Sequence, residues 1–183
     1  MKKSFKITAT IICILITIVS HSQSVKIGVK AGLNYANTTG SNIKTDAITN
    51  YHAGLVAKVS FTKSFAIQPE LLYSTQGATY KTATKDFENK LGYITIPVML
   101  QVNLSNSLML ELGPQAGFLL SEKNKFDVND SKTFDFTANV GLGLKITESL
   151  FAQARYGYGL TDIKADAKLR NSVFQLSVGI LLW

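Results

Sequence analysis

Apolar and polar residues alternate along residues 134–160, and this pattern marks two consecutive segments. One set of alternate positions is apolar throughout: Phe134, Phe136, Ala138, Val140, Leu142, Leu144 and Ile146, then Leu150, Ala152, Ala154, Tyr156, Tyr158 and Leu160. Successive side chains of a strand point to opposite faces, so a period of two predicts β-structure. The short polar connection 147–149 predicts that the two strands form an antiparallel hairpin.

The same alternation recurs through the rest of the chain after its N-terminal segment. It predicts eight strands, over residues 25–35, 51–61, 65–76, 93–102, 108–118, 134–146, 150–160 and 174–182. No amphipathic helix pattern interrupts them, so the fold class is all-β.

The predicted connections alternate between short and long. The connections 62–64, 104–107 and 147–149 are short, whereas the long polar ones are roughly 37–50, 78–90, 122–133 and 161–171. Outer-membrane barrels have tight periplasmic turns and longer extracellular loops. A soluble sandwich has no reason to keep all its long loops at one end. The pattern therefore predicts an eight-stranded antiparallel up-and-down transmembrane β-barrel.

Aromatic residues cluster near one end of the predicted strands, on their apolar face. Those near the long loops are Tyr35, Tyr51, Tyr73, Phe118, Phe134, Phe136, Tyr158 and Phe174. Phe61 and Phe65 lie near the other end. Aromatic girdles at both interfaces are typical of a lipid-facing barrel surface. We therefore expect the apolar face to contact outer-membrane lipid and the polar face to point inward.

Charged residues occur at predicted inward positions, where an eight-stranded barrel has room only for side chains. They are Lys30, Lys58, Glu70, Glu111, Lys145 and Arg155. Buried charges are tolerated when they are paired, so we expect an ion-pair network that plugs the lumen. The alternative reading of the same residues is a path for protons or solutes.

The N-terminus has the features of a cleaved signal peptide. Lys2, Lys3 and Lys6 precede an apolar run at 7–19, and small residues follow. About 13 apolar residues are too few to span a bilayer. We expect residues 1–22 to be removed, leaving a barrel domain at 23–183 that is exported to the outer membrane. The one cysteine, Cys13, lies in the removed segment, which excludes a disulfide.

The charge balance of the remaining chain gives no indication of a nucleic-acid partner. Without the three lysines of the N-terminal segment, 16 basic and 12 acidic residues leave a formal charge of +4. No basic run with interleaved aromatic residues is present.

Several structural motifs carry a family resemblance that covers nearly the whole chain after residue 22. They are Gln68-Pro69-Glu70-Leu71-Leu72-Tyr73, Tyr93-Ile94-Thr95-Ile96-Pro97-Val98, Leu112-Gly113-Pro114-Gln115-Ala116-Gly117 and the closing Phe174-Gln175-Leu176-Ser177-Val178-Gly179. In this order they resemble the PorT-like outer-membrane β-barrel family common in Bacteroidetes. The resemblance implies a barrel of the porin type and a link to secretion or other outer-membrane proteins. Proline usually marks an edge or bulge, so we expect bulges at Pro69, Pro97 and Pro114.

The sequence gives little support for catalysis. His52 is the only histidine after residue 22, and it stands without a predicted partner on an inward face. Asp127 and Asp130 are too sparse for a calcium site, so we expect neither metal nor cofactor. The remaining hypotheses are a non-enzymatic interaction barrel, a narrow passive pore for small solutes and, more weakly, a soluble lipocalin-like binder.

Overall fold

The computed structural model describes residues 24–39, 45–81, 86–123, 134–161 and 170–182, which form eight strands. The strands are β1 (Ser24–Thr39), β2 (Thr45–Ser60), β3 (Phe65–Lys81), β4 (Asp86–Asn103), β5 (Leu108–Lys123), β6 (Phe134–Lys145), β7 (Leu150–Gly159) and β8 (Arg170–Leu181). Each strand pairs antiparallel with the next, and β8 pairs with β1 to close the barrel. The predicted fold class is confirmed.

Burial alternates along the strands, and it places the apolar residues outside. In β6, Leu142 and Leu144 are exposed, whereas Asn139, Gly141 and Gly143 are buried. Leu142 is 48% exposed although it is large and apolar. A barrel that exposes its apolar face and buries its polar face is suited to lipid on the outside. In the described residues, no helix is long and apolar enough to cross a membrane.

The three short turns share one sequence pattern and one structure. Each contains a hydroxyl residue and then a serine between apolar residues: Phe61-Thr62-Lys63-Ser64-Phe65, Leu104-Ser105-Asn106-Ser107-Leu108 and Ile146-Thr147-Glu148-Ser149-Leu150. In the last, the Thr147 hydroxyl accepts hydrogen bonds from the backbone N–H groups of Ser149 and Leu150 at 3.2 and 2.9 Å. Thr62 and Ser105 accept the equivalent pairs of bonds. Side-chain acceptors of this kind stabilise a tight turn, and three equal turns fix the register of three hairpins.

Two of the four predicted long loops are wrong, because strands occupy most of their length. The predicted loop 37–50 contains the end of β1 and the start of β2, and 78–90 contains parts of β3 and β4. Antiparallel pairing continues there after the regular apolar alternation has stopped, as in the pairs Asp46–Thr79 and Thr79–Glu88. The alternation records where lipid begins and ends, whereas backbone pairing does not need lipid.

The expected bulges at the prolines are also wrong. The register is the same on both sides of Pro69, Pro97 and Pro114, so no residue is inserted. Register shifts lie instead between Ala47 and His52 and between Gly92 and Tyr93. Proline removes one donor from the ladder without changing the number of residues between flanking pairs. The pairs on either side are sufficient to hold the register.

Inward glycines allow neighbouring strands to approach closely. A Cβ atom at Gly28 would lie 2.0 Å from the Ile180 carbonyl oxygen, and one at Gly113 would lie 2.0 Å from that of Val98. The adjacent backbone therefore occupies the space that any other side chain would need. Glycine at such bends is how a strand curves tightly around a small barrel.

Candidate functional site in the barrel lumen

Four charged side chains meet in the middle of the lumen. Arg155 contacts Glu70 through two hydrogen bonds, Nη1–Oε2 at 3.1 Å and Nη2–Oε1 at 2.9 Å. The Nη2 atom of Arg155 also lies 3.0 Å from Oε2 of Glu111. Lys30 Nζ lies 2.7 Å from Oε2 of Glu70. These four residues, here called the central ion cluster, join β1, β3, β5 and β7 across the barrel.

Three glutamines surround the carboxylates of the central ion cluster. Gln101 donates to Oε1 of Glu111 and to Oε1 of Gln68, both at 2.8 Å. Gln68 in turn donates to Oε1 of Glu70 at 2.8 Å. Gln153 donates to Oε1 of Glu111. Each carboxylate oxygen therefore accepts at least one hydrogen bond.

The central ion cluster is electrically neutral and withdrawn from water. It contains two cations and two carboxylates, and their side chains are at most 1% exposed where they pair. A buried charge without a partner is costly, so the pairing is obligatory at this depth. The planar guanidinium of Arg155 suits this position, because it can bind one carboxylate at two points and a second beside it.

Lys58 and Lys145 lie outside the central ion cluster, which corrects the prediction that placed them within it. Lys145 Nζ pairs with Glu148 Oε1 at 2.9 Å in the turn that follows β6. Lys58 has no hydrogen-bond or ion-pair partner among the described residues. Both lysines face inward as predicted, but they lie nearer the short turns than Glu70 and Glu111 do. The hydrogen bond from Lys145 holds the pKa of Glu148 below its usual value.

His52 has partners that the sequence did not reveal. Asn34 Nδ2 donates to Ser74 Oγ at 2.9 Å, which turns its Oδ1 toward His52 Nδ1 at 2.7 Å. Gln175 donates to the same Oδ1 at 3.1 Å. His52 Nδ1 therefore carries the proton, and Nε2 accepts from the Ser177 hydroxyl at 2.8 Å.

The order Ser177–His52–Asn34 is that of a nucleophile, a base and an orienting group. All three side chains are buried, at 6%, 1% and 0% exposure, and their polar atoms bond to one another and to neighbouring strands. The arrangement therefore acts as a hydrogen-bonded layer across β1, β2 and β8. The sequence signal for it was weak, because β1 and β8 meet only when the barrel closes.

Part of the lumen is apolar, which the expectation of a polar interior missed. Val56, Phe151 and Leu181 form a buried cluster. Phe151 and Leu181 lie near the short turns, and Val56 pairs opposite Glu70 in the register. A Cβ atom at Gly179 would lie 2.2 Å from the ring of Phe151. The glycine thus leaves room for an aromatic ring inside the barrel.

The short-turn end of the lumen opens into a cavity of about 530 Å³, here called the mouth pocket. Its floor includes Gln68 and Gln101 together with the apolar Phe151 and Leu181. Four of its lining residues are lysines: Lys26, Lys58, Lys63 and Lys145. Glu148 is the one acidic residue among the described residues that line it.

The aromatic residues of the predicted girdle lie on the outer surface. Between 37% and 56% of each is exposed: Tyr35, Tyr51, Tyr73, Phe118, Phe134, Phe136, Tyr158 and Phe174. Phe118 and Phe134 pack edge to face at 5.5 Å between ring centroids. Tyr51 and Tyr73 lie 6.4 Å apart. Cross-strand pairs of this kind stabilise the sheet where aromatic residues meet a membrane interface.

Within the described ranges, no group of three His, Cys, Asp or Glu side chains could hold a metal ion. Asp127 and Asp130 lie outside the described residues, as does the expected signal peptide at 1–22.

Residues 21–165 match the model of a protein family described as "Outer membrane protein beta-barrel domain". The chain belongs to that family. A closed barrel with a lipid-suited exterior and this family assignment place the protein in the outer membrane. A sequence search of curated proteins found no match.

Solved outer-membrane barrels are similar to this chain in fold. Neisserial surface protein A has a TM-score of 0.59 at 13% identity, covering 88% of this chain and 100% of that one. The attachment invasion locus protein of Yersinia pestis has a TM-score of 0.54 at 12% identity, covering 86% of this chain and 98% of that one. At these identities the similarity shows the fold alone.

Proposed function

We propose that the protein is a non-enzymatic outer-membrane barrel whose lumen is closed by side chains and whose long-loop end binds a protein partner. The central ion cluster is the observation that carries the closed lumen in this proposal. An eight-stranded barrel is just wide enough for side chains to fill, and here they cross from β1, β3, β5 and β7. A neutral and fully paired cluster leaves no fixed charge to attract a permeating ion.

A narrow passive pore is the alternative function for the same barrel. Closure of the lumen predicts that liposomes containing the purified protein do not swell in isotonic solutions of small sugars. Swelling that depends on sugar size would support the pore and contradict the closed lumen.

The hydrogen-bonded layer around His52 supports the non-enzymatic part of the proposal. Both ring nitrogens are engaged within the lumen, and Ser177 is buried beside them. A serine hydrolase needs its nucleophile to be open to substrate as well as bonded to a base. Hydrolysis of a short-chain aryl ester by the folded protein, lost in Ser177→Ala, would contradict this part.

The partner is proposed to be a secretion component or another outer-membrane protein. The support is the PorT-like resemblance of the motifs at 68–73, 93–98, 112–117 and 174–179. Surface loops carried on a rigid scaffold are common binding elements. The tagged protein should recover the same partner from repeated membrane extracts, and replacing residues 124–133 by a short turn should abolish recovery. Equal recovery with and without that segment would exclude it as the binding element.

A further inference from the structure

The mouth pocket contains more positive charge than its own acidic group can balance. Among the described residues the carboxylate of Glu148 pairs with Lys145 at 2.9 Å, and Lys26 donates to the uncharged backbone carbonyl oxygen of Glu148 at 3.3 Å. The neighbouring central ion cluster is neutral by itself, and both of its carboxylates are already paired with Lys30 and Arg155. The excess positive charge therefore remains within the mouth pocket.

Lys58 is the residue that this excess affects most. It lies opposite Lys26 in the pairing of β1 with β2, and both side chains face inward. Like charges directly opposite each other on one face of a sheet destabilise it. Lys58 is also half-buried and has no partner among the described residues. An anion between Lys26 and Lys58 would offset the repulsion and supply the missing partner.

The shape of the mouth pocket suits a small ligand. Its volume of about 530 Å³ lies within the range of small-molecule sites, roughly 300–1,000 Å³. A concave site lined by one sign of charge concentrates ligands of opposite charge. At the floor, the buried Oε1 atom of Gln101 has no hydrogen-bond partner.

From these observations we propose that the mouth pocket binds a small multivalent anion, carrying phosphate or carboxylate groups, that enters from the short-turn side. In outer-membrane barrels this side faces the periplasm. Lys58 and Lys26 hold one anionic group between them, and the serine and threonine hydroxyls of the turns donate to the remaining oxygens. This site is separate from the long-loop end, so its test does not depend on the proposed protein partner.

Titration calorimetry of the folded protein in zwitterionic detergent tests the proposal with two probes, tripolyphosphate and citrate. We expect at least one probe to bind, and binding to weaken with added salt. Lys58→Met should weaken it by about tenfold, the loss expected for one charge-assisted contact. Lys123→Met is the matched control. It removes the same charge at the last residue of β5, far from the short turns, and should leave the affinity for both probes unchanged. The probe that binds more tightly identifies the ligand class: tripolyphosphate indicates a phosphate ligand, and citrate indicates a carboxylate ligand.

Two results would overturn the proposal. One is that neither anion binds, and the other is that Lys58→Met and Lys123→Met bind with equal affinity. Heat-modifiable migration on gels shows whether each variant is folded. Should Lys58→Met fail to fold, Lys26→Met takes its place in the test. It removes the opposite member of the same pair, and the same tenfold loss of affinity is expected.

Discussion

The middle of the lumen and its mouth both contain basic side chains, yet only the middle has one carboxylate for each of them. Lys30 and Arg155 are almost fully buried and bind Glu70 and Glu111. In the mouth pocket Lys145, whose side chain is 38% exposed, pairs with Glu148, and Lys26 contacts only the backbone carbonyl of that residue. The difference follows from water: a fully buried charge requires a partner within the protein, whereas a partly hydrated one can take its partner from solution.

The largest expected effect comes from removing Arg155. Arg155→Ala should lower the free energy of unfolding in lipid by roughly 3–5 kcal/mol, because it leaves a buried carboxylate uncompensated. Urea titration of the folded barrel in liposomes measures this. Lys145→Ala is the control in the mouth pocket, and it should change stability little, since its pair is exposed. Equal losses would remove the distinction between the two levels of the lumen.

A second substitution shows which carboxylate depends on Arg155. Glu111→Gln in the Arg155→Ala background should recover part of the loss, because Arg155 is the one cation paired with Glu111 among the described residues. Glu70→Gln in the same background should recover less, since Glu70 still pairs with Lys30. The reverse order would mean that the ion pairs are assigned to the wrong partners.

An arginine on the outer face provides a contrast with Arg155 on the inner face. Leu142→Arg puts a charge against lipid near the middle of β6 and should cost about 2–4 kcal/mol. Leu104→Arg places the same charge in a short turn, near the interface, and should cost about 0–1 kcal/mol. The same urea titration measures both variants. A more severe effect at Leu104 would mean that the depths of these two residues in the bilayer are wrongly assigned.

Two glycines on β5 differ in the space that is available for a side chain. Gly113→Ala should cost about 1–3 kcal/mol, because its Cβ would lie 2.0 Å from a backbone oxygen that cannot move freely. Gly117→Ala should be tolerated, since its Cβ would first meet Asp135 at 3.6 Å, an ordinary contact. Similar stability of the two variants would show that the backbone adjusts at Gly113.

The sequence predicted the fold well because lipid imposes a simple rule on it. Leu142 and Leu144 must face outward and their neighbours inward, so period-two alternation is enough to count strands and assign faces. The rule no longer applies beyond the membrane, where strands β1 to β4 continue into segments predicted as loops.

The candidate site was predicted only in part, because alternation gives the face of a residue and not its depth. Lys145 and Glu111 both face inward, but Lys145 pairs opposite Phe151 and Glu111 opposite Gly141 in the register. Counting residues from the short turns would have shown that Lys145 and Glu111 lie at different depths in the barrel. The partners of His52 depend on the register in which β8 pairs with β1, which the strand patterns do not specify.

Steady current across a planar bilayer tests the closed lumen most directly. With the central ion cluster intact, the purified protein should show little or no steady conductance under an applied voltage. Arg155→Ala should add a small leak if it still inserts, because a long side chain and its two ion pairs, with Glu70 and Glu111, are lost from the closure. A large, stable open-channel current from the unmodified protein would contradict the account, since a lumen filled by paired side chains cannot carry it.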